Sequence, residues 1–121
     1  MDRKPNIVRE MSFAFALNAV KAYKDIIREH KEYVLSKQWL RSATSIGANV
    51  QEAEHAESRA DFTHKHAIAL KEANESRYWL ELLYRSEYIS PVSYSALSDQ
   101  NTQLIKLLAA IIKSTKSNAL A

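Results

Sequence analysis

The chain predicts an all-α protein, an antiparallel up-down-up-down four-helix bundle forming a single domain over residues 1–121. Three observations carry this. One glycine, Gly47, and two prolines, Pro5 and Pro91, leave little turn material for a sheet fold, which needs a reversal about every ten residues. Apolar residues recur every three or four positions in four segments. The breaks between those segments are short, which sets consecutive helices antiparallel. A chain of 121 residues has room for one modest core, not two.

Helix 1 is expected over 12–29, with Ser12 as N-cap before the apolar run Phe13-Ala14-Phe15-Ala16-Leu17. Ala16, Ala19, Val20, Tyr23, Ile26 and Ile27 carry its helical spacing, and Glu29-His30-Lys31-Glu32 breaks it. Helix 2 is expected over 33–57, with a seam of Leu35, Trp39, Ser42, Ile46, Val50 and Ala53. Helix 3, over 59–87, opens on the capping-box pattern Ser58-Arg59-Ala60-Asp61. Its seam is Phe62, His66, Ala69, Ala73, Ser76, Leu80 and Leu83, with small residues in the middle that let a neighbour approach closely. Helix 4, over 91–113, begins with a serine N-cap and a proline at the first helical position, Ser90-Pro91. Leu97, Leu104, Leu108 and Ile111 lie in register, joined by Ile105 and Ile112, and a frayed tail is expected over 114–121.

Composition narrows the function classes. No stretch approaches the roughly 20 apolar residues that span a bilayer. The N-terminus Met1-Asp2-Arg3-Lys4-Pro5 has no apolar segment behind it that would make a signal peptide. The absence of cysteine removes disulfides and thiolate chemistry and fits a cytoplasmic protein. The net charge of +3 is mild, so any anion-binding surface must be local.

Two features point beyond a monomer. Helix 3 carries Ile68, Tyr78, Trp79 and Leu82 off its seam, and helix 1 is apolar nearly all round from Phe13 to Leu17. One buried stripe per helix suffices for a lone bundle, so the surplus suggests self-association. The alternative is that Tyr78 and Trp79 lie flat over the edge of the core.

Four-helix bundles host di-iron centres, which need two Glu-x-x-His motifs and a glutamate from each remaining helix. Glu52-Ala53-Glu54-His55 gives one such spacing and Asp61-Phe62-Thr63-His64 a carboxylate variant. Both fall beside the helix 2–3 turn, and helix 4 offers only Asp99, so no metal or cofactor is expected. His66, on the helix 3 seam, reads as a hydrogen-bonded core histidine. Ser45-Ile46-Gly47 lacks the flanking glycines of a nucleophile elbow, and one glycine cannot form a phosphate-cradling loop. No catalytic residue is therefore expected.

The most distinctive stretch is Leu40-Arg41-Ser42-Ala43-Thr44-Ser45-Ile46-Gly47-Ala48-Asn49-Val50-Gln51-Glu52-Ala53. Arg41, Ser45, Asn49 and Glu52 share one face at steps of three and four. The stretch's three serine or threonine residues, its asparagine and the only glycine are poor helix formers, which a solvated helix gains nothing by using. Close packing with a polar ladder explains them, with Glu72 and Glu75 on helix 3 as partners. A buried Arg41–Glu75 pair with Asn49 nearby is expected in the polar core or at a subunit seam. Breaking such a pair would cost several kcal/mol. A ligand pocket is the functional alternative for the same ladder.

That stretch, followed by Asp61-Phe62 and by Lys71-Glu72-Ala73-Asn74-Glu75-Ser76-Arg77-Tyr78-Trp79-Leu80-Glu81-Leu82-Leu83, resembles one bacterial family. These are the four-helix-bundle proteins first noted as reading frames within intervening sequences of 23S ribosomal RNA genes. The resemblance runs from about Phe13 to Ile112. It implies an up-down bundle that assembles into rings, typically pentamers. A related group, the accessory proteins of diversity-generating retroelements, forms similar barrels that bind nucleic acid and a reverse transcriptase. The family's frequent Val-Trp-x-Lys-Ala pattern in helix 1 is replaced here by Phe15-Ala16-Leu17-Asn18-Ala19-Val20, so no role of that tryptophan and lysine carries over.

Two functions are weighed. In the first, a non-catalytic homo-oligomer binds RNA or DNA through Lys21, Lys24 and Arg28 of helix 1 and Lys106 and Lys113 of helix 4. Interleaved Asp25 and Glu29 leave open that these residues are a solvated face. In the second, the ring is an adaptor for a protein encoded nearby, anchored by Trp39, Trp79 or Tyr88.

Overall fold

A computed structural model describes residues 6–120. Met1–Pro5, which bear on the signal-peptide expectation, and Ala121 lie outside the described residues. Four helices follow one another: α1 (Ile7–His30), α2 (Leu35–Ala53), α3 (Arg59–Arg85) and α4 (Pro91–Leu120). Only sequence neighbours and the closing α1–α4 pair touch, which is the single ring of a four-helix bundle.

Helix α1 begins a turn and a half earlier than expected. Asn6, not Ser12, is the N-cap, its Oδ1 accepting from the Arg9 amide at 3.1 Å. Ser12 is instead buried and donates to the Arg9 carbonyl at 3.1 Å. Asn6 and Arg9 both reach Glu54 beyond the end of α2, at 2.9 and 3.2 Å, which ties the two helix ends together.

Helix α2 is shorter than expected at both ends. Val34 offers no side-chain cap, and Glu32, outside the helix, does the capping. Its carboxylate accepts from the amides of Val34, Leu35 and Ser36 at 2.9, 2.8 and 2.7 Å. At the far end, the amides of Glu54, His55 and Ala56 turn to carbonyls three residues back, and Ser58 leaves in extended backbone. Ser58 then caps α3, accepting from the Asp61 amide at 3.0 Å. Asp61 returns a bond to the Glu57 amide, one residue before the expected reciprocal partner.

Ser90 caps α4 as expected, accepting from the Ser93 amide at 3.2 Å. Helix α4 runs past the expected end at residue 113, to Leu120. No glycine or proline interrupts it there, and Thr115 lines one cleft with Arg59 and Phe62 of α3 while donating to the Ile111 carbonyl at 2.8 Å.

The core follows the predicted seams with a few exchanges. Trp39, Ile46, Val50, Leu80, Leu83, Leu104, Leu108 and Phe15 are fully enclosed. Tyr23, Val20 and Ile27 of α1 are half-buried rather than central, because Val8, Ser12, Phe15, Ala19 and Ile26 take the inward face.

Candidate functional surfaces

A polar relay crosses the middle of the core. The Trp39 indole N–H donates to Ser76 Oγ at 3.2 Å, and Ser76 donates to Asn101 Oδ1 at 2.7 Å. The amide of Asn101 donates to the Ala73 carbonyl at 2.9 Å. Asn101 carries no charge and no helical signal, and sequence reasoning passed over it. Among the described residues no buried side-chain nitrogen or oxygen lacks a partner, as a native core requires.

The ladder on α2 behaves differently from the expectation. Arg41 does bridge Glu72, at 3.1 Å, and Glu75, whose carboxylate also accepts from the Trp79 indole at 3.3 Å. The pair is not buried in the protomer, since half of the Arg41 side chain is exposed. Partial burial disfavours the guanidinium, but the charges of Glu72 and Glu75 and their hydrogen bonds outweigh it and raise its pKa. Ser45 and Asn49 turn back onto their own helix, to the carbonyls of Arg41 and Ser45 at 2.5 and 2.8 Å. Glu52 lies at the end of α2 and pairs with Lys65 of α3 at 3.0 Å. In the protomer the ladder is thus a partly exposed strip closed at Arg41 by one ion-pair fork.

The five candidate nucleic-acid residues are all exposed. Arg28 is held by Asp25 at 2.7 Å and by Glu29 at 3.4 Å. The hydrogen bond it donates to Asp25 is the main reason its pKa is raised. Lys21, Lys24, Lys106 and Lys113 form no ion pair among the described residues. They do not converge within one protomer. The hydrogen bond from Asn18 to Gln100, at 3.1 Å, sets the antiparallel register of α1 and α4. In that register Lys106 lies level with Ser12, about 13 Å along the axis from Lys21. Lys113 lies farther still, toward the start of α1.

No group of three or more His, Asp or Glu side chains that could hold a metal occurs among the described residues. His55 and His64 are exposed, and His66 is buried with Nδ1 2.9 Å from the Phe62 carbonyl. No described helix is long and apolar enough to cross a membrane.

Two concave surfaces, one at each end of the bundle, bear on function. Beside the start of α1, Ser12, Phe13, Leu17 and Gly47 line an apolar groove of about 430 Å³ rimmed by Arg9 and Gln51. Phe13 is 65% and Leu17 49% exposed, so this groove opens onto an uncovered apolar face. At the opposite end, where both α1–α2 and α3–α4 loops lie, a cleft of about 640 Å³ is lined by His30, Tyr84, Arg85, Glu87, Tyr88 and Ser90. His30 meets Tyr88 edge-on, with centroids 5.4 Å apart, and Tyr84 stacks on Tyr94 at 4.0 Å. No sequence pattern marks this aromatic gathering, because its members are spread over α1, α3, α4 and the loop between the last two.

Fold and surfaces together define a small all-α bundle with an uncovered apolar face. The 23S rRNA-intervening sequence protein family matches residues 4–110, and the chain belongs to it. The chain is also similar to a solved structure from Bacteroides thetaiotaomicron VPI-5482, a protein with unknown function from the S23 ribosomal protein family. The two share 56% identity and a TM-score of 0.86, over 88% of this chain and 98% of that one. No functionally curated protein matches.

Proposed function

We propose that the protein is a non-catalytic homo-oligomeric scaffold, ring-forming and pentameric, that holds nucleic acid such as structured RNA on a weak basic surface repeated around the ring. The uncovered apolar face of α1, centred on Phe13 and Leu17 above the Gly47 groove, carries the assembly. A solvent-exposed phenylalanine beside an apolar groove is the composition of a subunit contact rather than of a free surface. The ring size comes from the family resemblance.

The four lysines without ion pairs support the nucleic-acid partner. Scattered over one protomer they supply few phosphate contacts, and repetition around a ring multiplies them. Such binding follows backbone charge rather than sequence.

The test is fluorescence anisotropy of labelled duplex RNA and duplex DNA, titrated from low to near-physiological salt. A Lys21→Ala, Lys24→Ala, Arg28→Ala triple variant of unchanged oligomeric mass runs alongside. Binding that weakens with salt and with the triple variant supports the proposal. No binding at low salt overturns it and leaves an adaptor for a second protein. Tyr78, 61% exposed and edge-on to Trp79 at 5.0 Å, is the surface favouring that alternative.

A further inference from the structure

Three of the six tyrosines, Tyr84, Tyr88 and Tyr94, gather with His30 at the loop end of the bundle. The cleft there lies far from Phe13 and Leu17, near the start of α1, and uses none of the lysines above. Tyr84 has one face covered by Tyr94, with ring planes 6° from parallel, and also lines the cleft. Tyr88 enters from the loop after α3, braced by the edge of His30 at the end of α1.

Glu87 completes this wall, ending α3 in a left-handed backbone as Lys31 ends α1. It occupies the left-handed region at φ 68°, just past the C-cap of α3, where glycine is the residue without a steric penalty. The turn is closed by bonds from the Tyr88 amide to the Leu83 carbonyl at 2.9 Å and from the Glu87 amide to the Tyr84 carbonyl at 3.0 Å. Glu87 lines the cleft and brings an acceptor-only carboxylate to it. On the rim, Arg85 is only loosely tied to Glu81, at 3.7 Å.

Aromatic faces, a carboxylate and a guanidinium match three parts of one ligand. Unpaired bases stack on aromatic rings, their amino groups donate to carboxylates, and their phosphates attract arginine. We propose that this cleft binds an unpaired nucleobase bearing an exocyclic amino group, stacked among Tyr84, Tyr88 and His30, with Glu87 accepting from the amine and Arg85 facing the phosphate. Adenine, cytosine and guanine satisfy Glu87. Uracil has no exocyclic amine and offers Glu87 only its ring N3–H, flanked by two carbonyls. The cleft volume accommodates a nucleotide, at the scale of ordinary small-molecule sites. The proposal rests on nucleic acid as the partner class but on a different surface from the lysines.

The experiment titrates AMP, CMP, GMP and UMP separately into the full-length protein, following the tyrosine ring signals by NMR. The three amino-bearing nucleotides should shift the Tyr84 and Tyr88 signals saturably, with UMP at least about fivefold weaker. Tyr88→Ala should weaken binding by roughly tenfold or more. Glu87→Gln, whose amide both donates and accepts, should erase the preference over UMP while stacking persists. Overturning results are no saturable shift with any nucleotide, equal binding of UMP by the wild type, or an unchanged preference in Glu87→Gln. Duplex RNA presents no unpaired base, so the anisotropy measurement stands or falls separately from this one.

Discussion

Ser76 and Asn101 meet at 2.7 Å in the fully buried core, the hydroxyl of α3 donating to the amide oxygen of α4. With the Trp39 indole on one side and the Ala73 carbonyl on the other, the contact joins three helices at one level. Asn101→Ala removes the acceptor for Ser76 and leaves a cavity. The expected cost is about 2–4 kcal/mol of unfolding free energy in chemical denaturation. Ser76→Ala should cost less alone, and the double variant should fall short of the sum, because the two changes disrupt one network.

The Arg41 fork is expected to contribute little in the isolated protomer. Half of the Arg41 side chain and about a third of the Glu75 side chain are exposed, so solvent screens the pair. Glu75→Ala should therefore lower stability by less than about 1 kcal/mol, in place of the large loss a buried pair would suffer. A thermal melt at low protein concentration measures it.

Glu32 ties the α1–α2 loop to the first turn of α2. Burial pushes its carboxyl up, but the amides of Ser36, Leu35 and Val34 together pull it below its ordinary value. A carboxyl lowered by folding stabilises above its unfolded pKa, and that contribution fades as pH falls through the folded value. Glu32→Gln should thus be less stable than wild type at neutral pH, by about 1 kcal/mol. Melting temperatures of the two should converge in acid, below the ordinary glutamate range.

Gly47 backs directly onto Ser12. A Cβ built there would meet Ser12 atoms at 3.5 Å, an ordinary contact distance. Gly47→Ala should leave the protomer fold intact and stabilise it by up to about 1 kcal/mol through helix propensity. Circular dichroism melts check the sign.

The helices were legible because their burial is periodic: six of the seven predicted α3 seam positions are buried. Boundaries were less so. Ser12 looked like a cap because it precedes an apolar run, whereas the inward demand of Val8 and Phe15 extends α1 back to Asn6. The ladder on α2 was visible as a pattern, but spacing alone does not say whether Ser45 and Asn49 bond across helices or back along their own. Asn101 and the tyrosine cleft are products of inter-helix register, which no single segment records.

Assembly through the start of α1 is most directly tested by native mass. Multi-angle light scattering on the wild type should give five times the 13.8 kDa protomer. A Phe13→Glu, Leu17→Glu variant should stay helical and elute at the protomer mass. A wild type that runs as a helical monomer at micromolar concentration, or a double variant that still assembles, would contradict it.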